Sequence, residues 1–328
     1  MKRTFNSYIL MFSSICALCV SIGIGSSNIV NAENLSSYML DKENNDEKYR
    51  YETFTEIHED SEGNEYEMYF NNGSLTFTNI KSASKYVKEI VIPEGVCGIS
   101  AEGINYARCG SIYIPKTVRS ITNMAFNCAA EFIVDEANTD YISIDGVVYT
   151  KNMKKMVAYP SYKKDKVYIM PDTVEEADVE WGPENLENLR YIIFSSSIKC
   201  LDYVAPNTKG IYIKTENLEN IDDIKINGLR YETPENSNEK LVIYLDTDSP
   251  YRDVFKDNSK YILVTDDNYD MSHVIEALKM SLGINETQLD LRKYKDGKEK
   301  LLFDIDSDNK VTLADTVKIL KSALIIKK

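Results

Sequence analysis

One tryptophan and two histidines are all that 328 residues supply of the side chains that most often mark sugar platforms and acid–base or zinc chemistry. His58 and His273 are far apart. There is no Gly-x-Ser-x-Gly elbow, no His-Glu-x-x-His helix and no phosphate loop. Cysteines are scarce too. Cys16 and Cys19 fall in the first apolar run, and Cys97, Cys109, Cys128 and Cys200 have no neighbouring histidine to activate a thiolate. Basic residues fall short, with 38 Lys and Arg against 52 Asp and Glu and a net charge of −14. That balance argues against nucleic acid, whose phosphates require a basic face. Beyond the N-terminus no apolar run approaches the roughly 18 residues needed to span a bilayer. The chain is therefore read as no enzyme. The 52 acids still leave a carboxylate pair for glycoside hydrolysis open as a third alternative.

What is present begins with an export signal. Lys2 and Arg3 precede the apolar run Tyr8 to Ile24, and Val30-Asn31-Ala32 makes a small-residue cleavage site, so 1–32 is read as a signal peptide. Removing those two bases from the 38 leaves 36 against 52 acids, a net of −16 for a secreted, extracellular chain. Residues 33–63 are polar and acidic and read as a flexible leader.

From Tyr66 the pattern changes. Glu67 to Phe70, then Asn71-Asn72-Gly73, then Ser74 to Phe77 predicts a hairpin. A repeat with a period near 22 follows, Ile90-Val91-Ile92-Pro93 recurring as Ile112-Tyr113-Ile114-Pro115, each with a matching Val-x-x-Ile at Val96/Ile99 and Val118/Ile121. Looser copies stand at Val167 to Pro171, Tyr191 to Phe194 and Ile211 to Ile213. Short strands at this period imply a solenoid in which each coil covers its neighbour's apolar edge. Most of the 23 tyrosines are read as half-buried strand residues. Ile114-Pro115, Val118, Ile121, Ala125-Phe126 and Cys128 together resemble the BspA-like leucine-rich repeat, as does the Asp145 to Pro160 hairpin insertion. The resemblance covers 64–256 and implies an irregular leucine-rich-repeat β-solenoid that ends at a strand over Leu241 to Tyr244. It also implies a surface for a protein or glycan ligand. Cys109 and Cys128 fall at comparable turns, where the resemblance implies stacked thiols and a disulfide stays open.

The C-terminal stretch is different. Asp304, Asp306, Asp308 and Asp315 occupy positions 1, 3, 5 and 12 of a twelve-residue calcium loop, the carbonyl of Lys310 fits position 7 and Thr312 position 9. Asn309 replaces the usual glycine at position 6, a residue that tolerates left-handed backbone. A helical pattern follows from Thr316 to Leu324. A shift of 42 residues pairs Leu313, Ala314, Val317, Leu320, Ala323 and Leu324 with Met271, Ser272, Ile275, Leu278, Ser281 and Leu282, and sets His273 opposite Asp315. The upstream loop, 262–273, keeps only Asp266 and Asp270 as acids, so one Ca²⁺ is expected, and His273 is read as a helix-start residue.

Tandem loop–helix units of this kind resemble a dockerin module, here 257–328. The resemblance implies a small all-α calcium-binding domain that plugs into a cohesin domain of a scaffold. Leu313, Ala314, Lys318 and Lys321, with Met271 and Ser272, would read that partner. The sequence thus points to an exported binding protein held on a cellulosome-like scaffold. The alternative is a free or surface adhesin whose C-terminal helices cap the solenoid.

Overall fold

Asn72 and Gly73 have φ of 46° and 82°, the left-handed pair that a two-residue hairpin turn requires. They join β2 (Glu65–Asn71) to β3 (Ser74–Ile80), as expected, with Asn71 opposite Ser74. The computed structural model describes Tyr49 and residues 52–325, apart from 82–85, 102, 105–107, 123–124, 127–128, 178–185, 187, 202–203, 206, 223–239, 257–260, 266–268 and 295–297. The signal segment, Cys128 and Asp266 lie outside the described residues.

The flexible leader needs correcting at its C-terminal end. Tyr49 is fully buried, and β1 (Thr53–Glu59) pairs antiparallel with β2 along its whole length. Its periodicity is inverted: the acid Glu56 is half-buried and His58 buried, while Ile57 is 64 % exposed. An alternation read for apolar residues therefore misses this strand. The Asp60 carboxylate fixes the turn after it, accepting from the amides of Glu62, Asn64 and, across the fold, Lys88 at 2.9, 2.8 and 2.6 Å.

Solenoid coils follow. β4 (Tyr86–Val91) is followed by the two-residue β5 (Gly98–Ile99), and β6 (Arg108–Ile114) by β7 (Ser120–Ile121), before β8 (Ala129–Val134). The sheet order β4-β6-β8 is parallel, with Ile90 beside Ile112 and Ile112 beside Phe132, and β5 and β7 extend the N-terminal sheet. The repeated Val-x-x-Ile thus folds as predicted, Ile99 against Ile121. The hairpin insertion is β9 (Tyr141–Ile144), β10 (Val147–Thr150) and β11 (Met156–Ala158). Polar side chains tie coil to coil at the turns, for example Asn138 Nδ2 on the carbonyls of Pro115 and Val118.

The last sheet is five parallel strands: β12 (Val167–Ile169), β13 (Tyr191–Ile193), β14 (Gly210–Ile213), β15 (Leu241–Leu245) and β16 (Tyr261–Val264). The short α1 (Arg252–Phe255) joins β15 to β16. Here the expected ending is wrong. Leu241 to Tyr244 is not the terminal strand, because β16 pairs with it, Ile262 beside Val242. β16 occupies the first positions of what the repeat reads as the upstream calcium loop. Ile262 and Val264, where acids would stand, are sheet residues buried in the core.

The sheet is apolar on both faces, as buried parallel sheets are. Ile192, Ile211 and Ile243 face the solenoid interior, while Tyr191, Ile193, Val242, Tyr244, Ile262 and Val264 face outward. The outward face is covered by α2 (Met271–Ser281), the segment through a 3₁₀ turn at Leu291–Lys293, and α3 (Leu313–Ile325), whose Val274, Ala277, Met280, Leu302, Ile319 and Ala323 join the same core. The C-terminal helices are therefore not a separate all-α body beginning at 257. They share a core with the solenoid. At its centre Tyr244 Oη donates to the Leu289 carbonyl at 2.5 Å and Tyr191 Oη accepts the Leu289 amide at 3.1 Å. Both rings close over Gly210, where a Cβ would stand 3.1 Å from Tyr244 Cε2 and 3.2 Å from Tyr191 Cδ1.

Tyr244→Phe leaves the Leu289 carbonyl without this donor and lowers the unfolding free energy by about 1–3 kcal/mol in urea titration of the whole chain. Gly210→Ala, which pushes the rings apart, also shifts the midpoint down. Ending the chain after Thr265 bares the outer face and yields aggregating protein. A soluble, monomeric truncation would show that the core is not shared.

Candidate metal loop and docking face

Three left-handed residues, Phe303, Ser307 and Asn309 with φ of 70°, 60° and 64°, bend the chain before α3. Asn309 thus adopts the conformation expected of position 6. The Asp304 carboxylate accepts the amides of Asp308 and Asn309 at 3.1 and 2.9 Å and closes the bend. Thr312 and Asp315 start the helix: the Thr312 amide and hydroxyl donate to Asp315 Oδ2 at 2.9 and 2.7 Å, while Asp315 Oδ1 accepts the Ile305 amide at 3.1 Å. Asp315 is fully buried. Burial alone would raise its pKa, but these donors and Lys318 outweigh it and hold the carboxyl below its usual value.

This fold gathers carboxylate oxygens of Asp304, Asp306 and Asp315 within 4.8 Å of one another. Oxygen donors of this kind fit a hard cation rather than a softer metal. Asp308 is exposed and is not in the group; its Oδ1 accepts the Lys310 amide at 2.9 Å. The Lys318 ammonium lies 2.6 Å from Asp306 Oδ2 and 3.9 Å from Asp315 Oδ1, so a protein cation offsets part of the cluster's charge. An ion bound by these acids would have to displace it.

The upstream unit makes the same joint without an acid. Asp270 caps α2, accepting the amides of Ser272 and His273 at 2.8 and 3.3 Å, and its own amide donates to His273 Nδ1 at 3.1 Å. His273 Nε2 lies 2.8 Å from the Leu263 carbonyl. Residue 263 corresponds to 305 under the 42-residue shift, so His273 and Asp315 tie equivalent backbone positions to equivalent helix starts. His273 is the polar helix-start residue that the sequence suggests.

Each helix carries two apolar stripes. One is buried as described. On the other, Met271, Ile275 and Leu278 of α2 with Leu282 at its C-cap, and Leu313, Val317 and Leu324 of α3, are between 39 and 57 % exposed. Periodicity detects apolar positions but not which stripe a tertiary partner covers. Of the expected partner-reading residues, Met271, Ser272, Leu313, Ala314 and Lys321 are exposed, and Lys318 turns back onto Asp306. Sequence reasoning did not place Ile275, Leu282, Val317 or Leu324 on this open face.

His273, with burial opposing it, holds the Asp270 carboxyl well below the usual carboxylate range. Its contribution to stability is present above the ordinary value and is lost as pH falls below about 4. Asp270→Asn should therefore flatten the acid limb of a helicity–pH curve. An unchanged limb would place that acid sensitivity elsewhere. His273→Ala frees the Leu263 carbonyl and costs about 1–3 kcal/mol in denaturant unfolding.

No helix among the described residues is long and apolar enough to cross a membrane. No protein-family model matches the sequence, and no curated protein matches it. Among solved structures the chain is similar to a leucine-rich repeat protein from Eubacterium ventriosum, at 18 % identity and a TM-score of 0.33 over 56 % of each chain. It is also similar to the pneumococcal vaccine antigen PcpA, at 13 % identity and a TM-score of 0.27 over 55 % of this chain and 68 % of that one. A third likeness is a leucine-rich cell surface protein from Faecalibacterium prausnitzii A2-165, at 14 % identity and a TM-score of 0.27 over 55 % and 59 %. The chain thus spans just over half the length of the first of these.

Proposed function

We propose that this is an exported, non-catalytic binding protein: its β-solenoid displays a surface for a protein or glycan, and its C-terminal loop–helix pair docks to a cohesin domain of a scaffold in a calcium-dependent way. The observation that carries the docking half is the matched pair of exposed apolar stripes on α2 and α3, above a loop that gathers three carboxylates. A helix that buries one stripe and leaves a second to water has a face to spare for a partner. Asp304, Asp306 and Asp315 would hold the Ca²⁺, with Asp308, the Lys310 carbonyl and Thr312 as the remaining donors that the loop spacing suggests. The ion would supply charge neutralisation, and with it folding free energy for the loop. Leu313 and Met271, which belong to the stripes, with the exposed Ala314, Lys321 and Ser272, would contact the partner.

The second reading, a free adhesin with a C-terminal cap, is favoured by the shared core and by Lys318 on Asp306. Thermal unfolding of the whole chain with Ca²⁺ and with EDTA, beside capture on immobilised cohesins, separates the two. Docking predicts a calcium-raised Tm, equivalent to about 2.7 kcal/mol at a hundredfold excess over Kd. It also predicts chelator-sensitive capture that Val317→Glu or Ile275→Glu abolishes with little change in Tm. No calcium shift and no capture would leave the cap.

A further inference from the structure

Two hairpin turns of the chain are built alike. Asn72-Gly73 joins β2 to β3, and Asp145-Gly146, with φ of 50° and 75°, joins β9 to β10 with Ile144 opposite Val147. Both are the left-handed pair of a two-residue turn. Their side chains differ in what holds them. The Asp145 carboxylate meets the Lys163 ammonium at 3.0 Å. Asn72 is exposed, and its carboxamide has no hydrogen-bond partner among the described residues.

Their chemistry differs too. A carboxamide directly before a glycine is open to attack by the glycine's own amide nitrogen, because no Cβ at the second residue crowds the five-membered ring that forms. An ionised carboxylate is a far poorer electrophile. The attack requires Asn72 to leave its left-handed well, an excursion that costs least at an exposed turn tip.

We propose that Asn72 is a site of spontaneous covalent modification, converting to aspartate and isoaspartate through a cyclic imide. The Gly73 nitrogen forms a bond to Asn72 Cγ, the bond from Cγ to the side-chain nitrogen breaks, and the Gly73 amide proton departs with that nitrogen as ammonia. Water then opens the ring at either carbonyl. Opening at the backbone carbonyl leaves an isoaspartyl link, with one extra carbon in the main chain.

That carbon enters a junction. The Asn72 amide donates to the carbonyl of Glu52, directly before β1, at 3.3 Å. The Gly73 carbonyl accepts the amides of Cys97 and Gly98, at the start of β5, at 2.7 and 3.2 Å. One turn thus ties together the first strand, the hairpin and the first coil. A two-residue turn fixes strand register only at its native length, so the modified turn loosens the whole N-terminal sheet.

Ageing the full chain in warm, mildly alkaline buffer tests this, beside Asn72→Gly, whose Gly-Gly pair suits the same turn. Peptide mapping must resolve the position, because a second Asn-Gly at 227–228 lies outside the described residues. The expected result is aspartate and isoaspartate at 72 and no isoaspartate at 145. The urea midpoint of the wild type falls on ageing by more than that of Asn72→Gly. Residue 72 still asparagine after ageing would overturn the proposal, as would isoaspartate forming equally at 145. Conversion at 72 with the same midpoint loss in both proteins would overturn the role of the junction. No calcium or partner enters the experiment, so its outcome is independent of docking.

Discussion

Leu289 held between Tyr191 and Tyr244 is the contact on which the C-terminal half depends. A parallel sheet buried on both faces needs two covers, and only one comes from the solenoid's own coils. The other is the segment from α2 to α3. Its irregular middle can lie against the sheet because the two tyrosines satisfy the amide and carbonyl of Leu289, which would otherwise be buried unpaired. Gly210 makes room for the rings. The solenoid's last coils and the helical pair are therefore one cooperative structure, and the outward face of β13 to β16 is taken by the chain itself rather than left for a ligand.

That arrangement accounts for the difference between the two loop–helix units. In the first unit the loop's opening residues form β16, and the apolar side chains there are buried in the core that the sheet shares with the helices. The helix start still needs tying to the backbone ten residues earlier. His273 does this by meeting a carbonyl, whereas Asp315 does it by accepting an amide. The carboxylate adds negative charge beside Asp304 and Asp306, whereas the imidazole meets a carbonyl.

This fusion leaves a second apolar stripe on each helix that nothing among the described residues covers. Open stripes of this length invite association, so a partner or a second copy at that face would relieve a real solvation cost.

Much of this fold is legible along the chain, because local chemistry specifies it. Asn72-Gly73 dictates its hairpin, the Ile-Val-Ile-Pro and Val-x-x-Ile repeats dictate strand pairing one coil apart, and Asp304 to Asp315 dictates a bend followed by a helix. The strand β1 was not legible, since its inward side is partly acid and histidine while isoleucine faces water. Nor was the role of Ile262 and Val264, since apolar residues in a failed calcium loop look like decay until a neighbouring strand claims them. The carboxylate cluster and the stripes divide along the same line. Sequence by itself determined which residues are acidic, apolar or basic and at what spacing. Only the tertiary structure decided that Lys318 turns onto Asp306 and that one stripe of each helix stays open. Those outcomes depend on which face another segment covers, a long-range packing choice that no local pattern encodes.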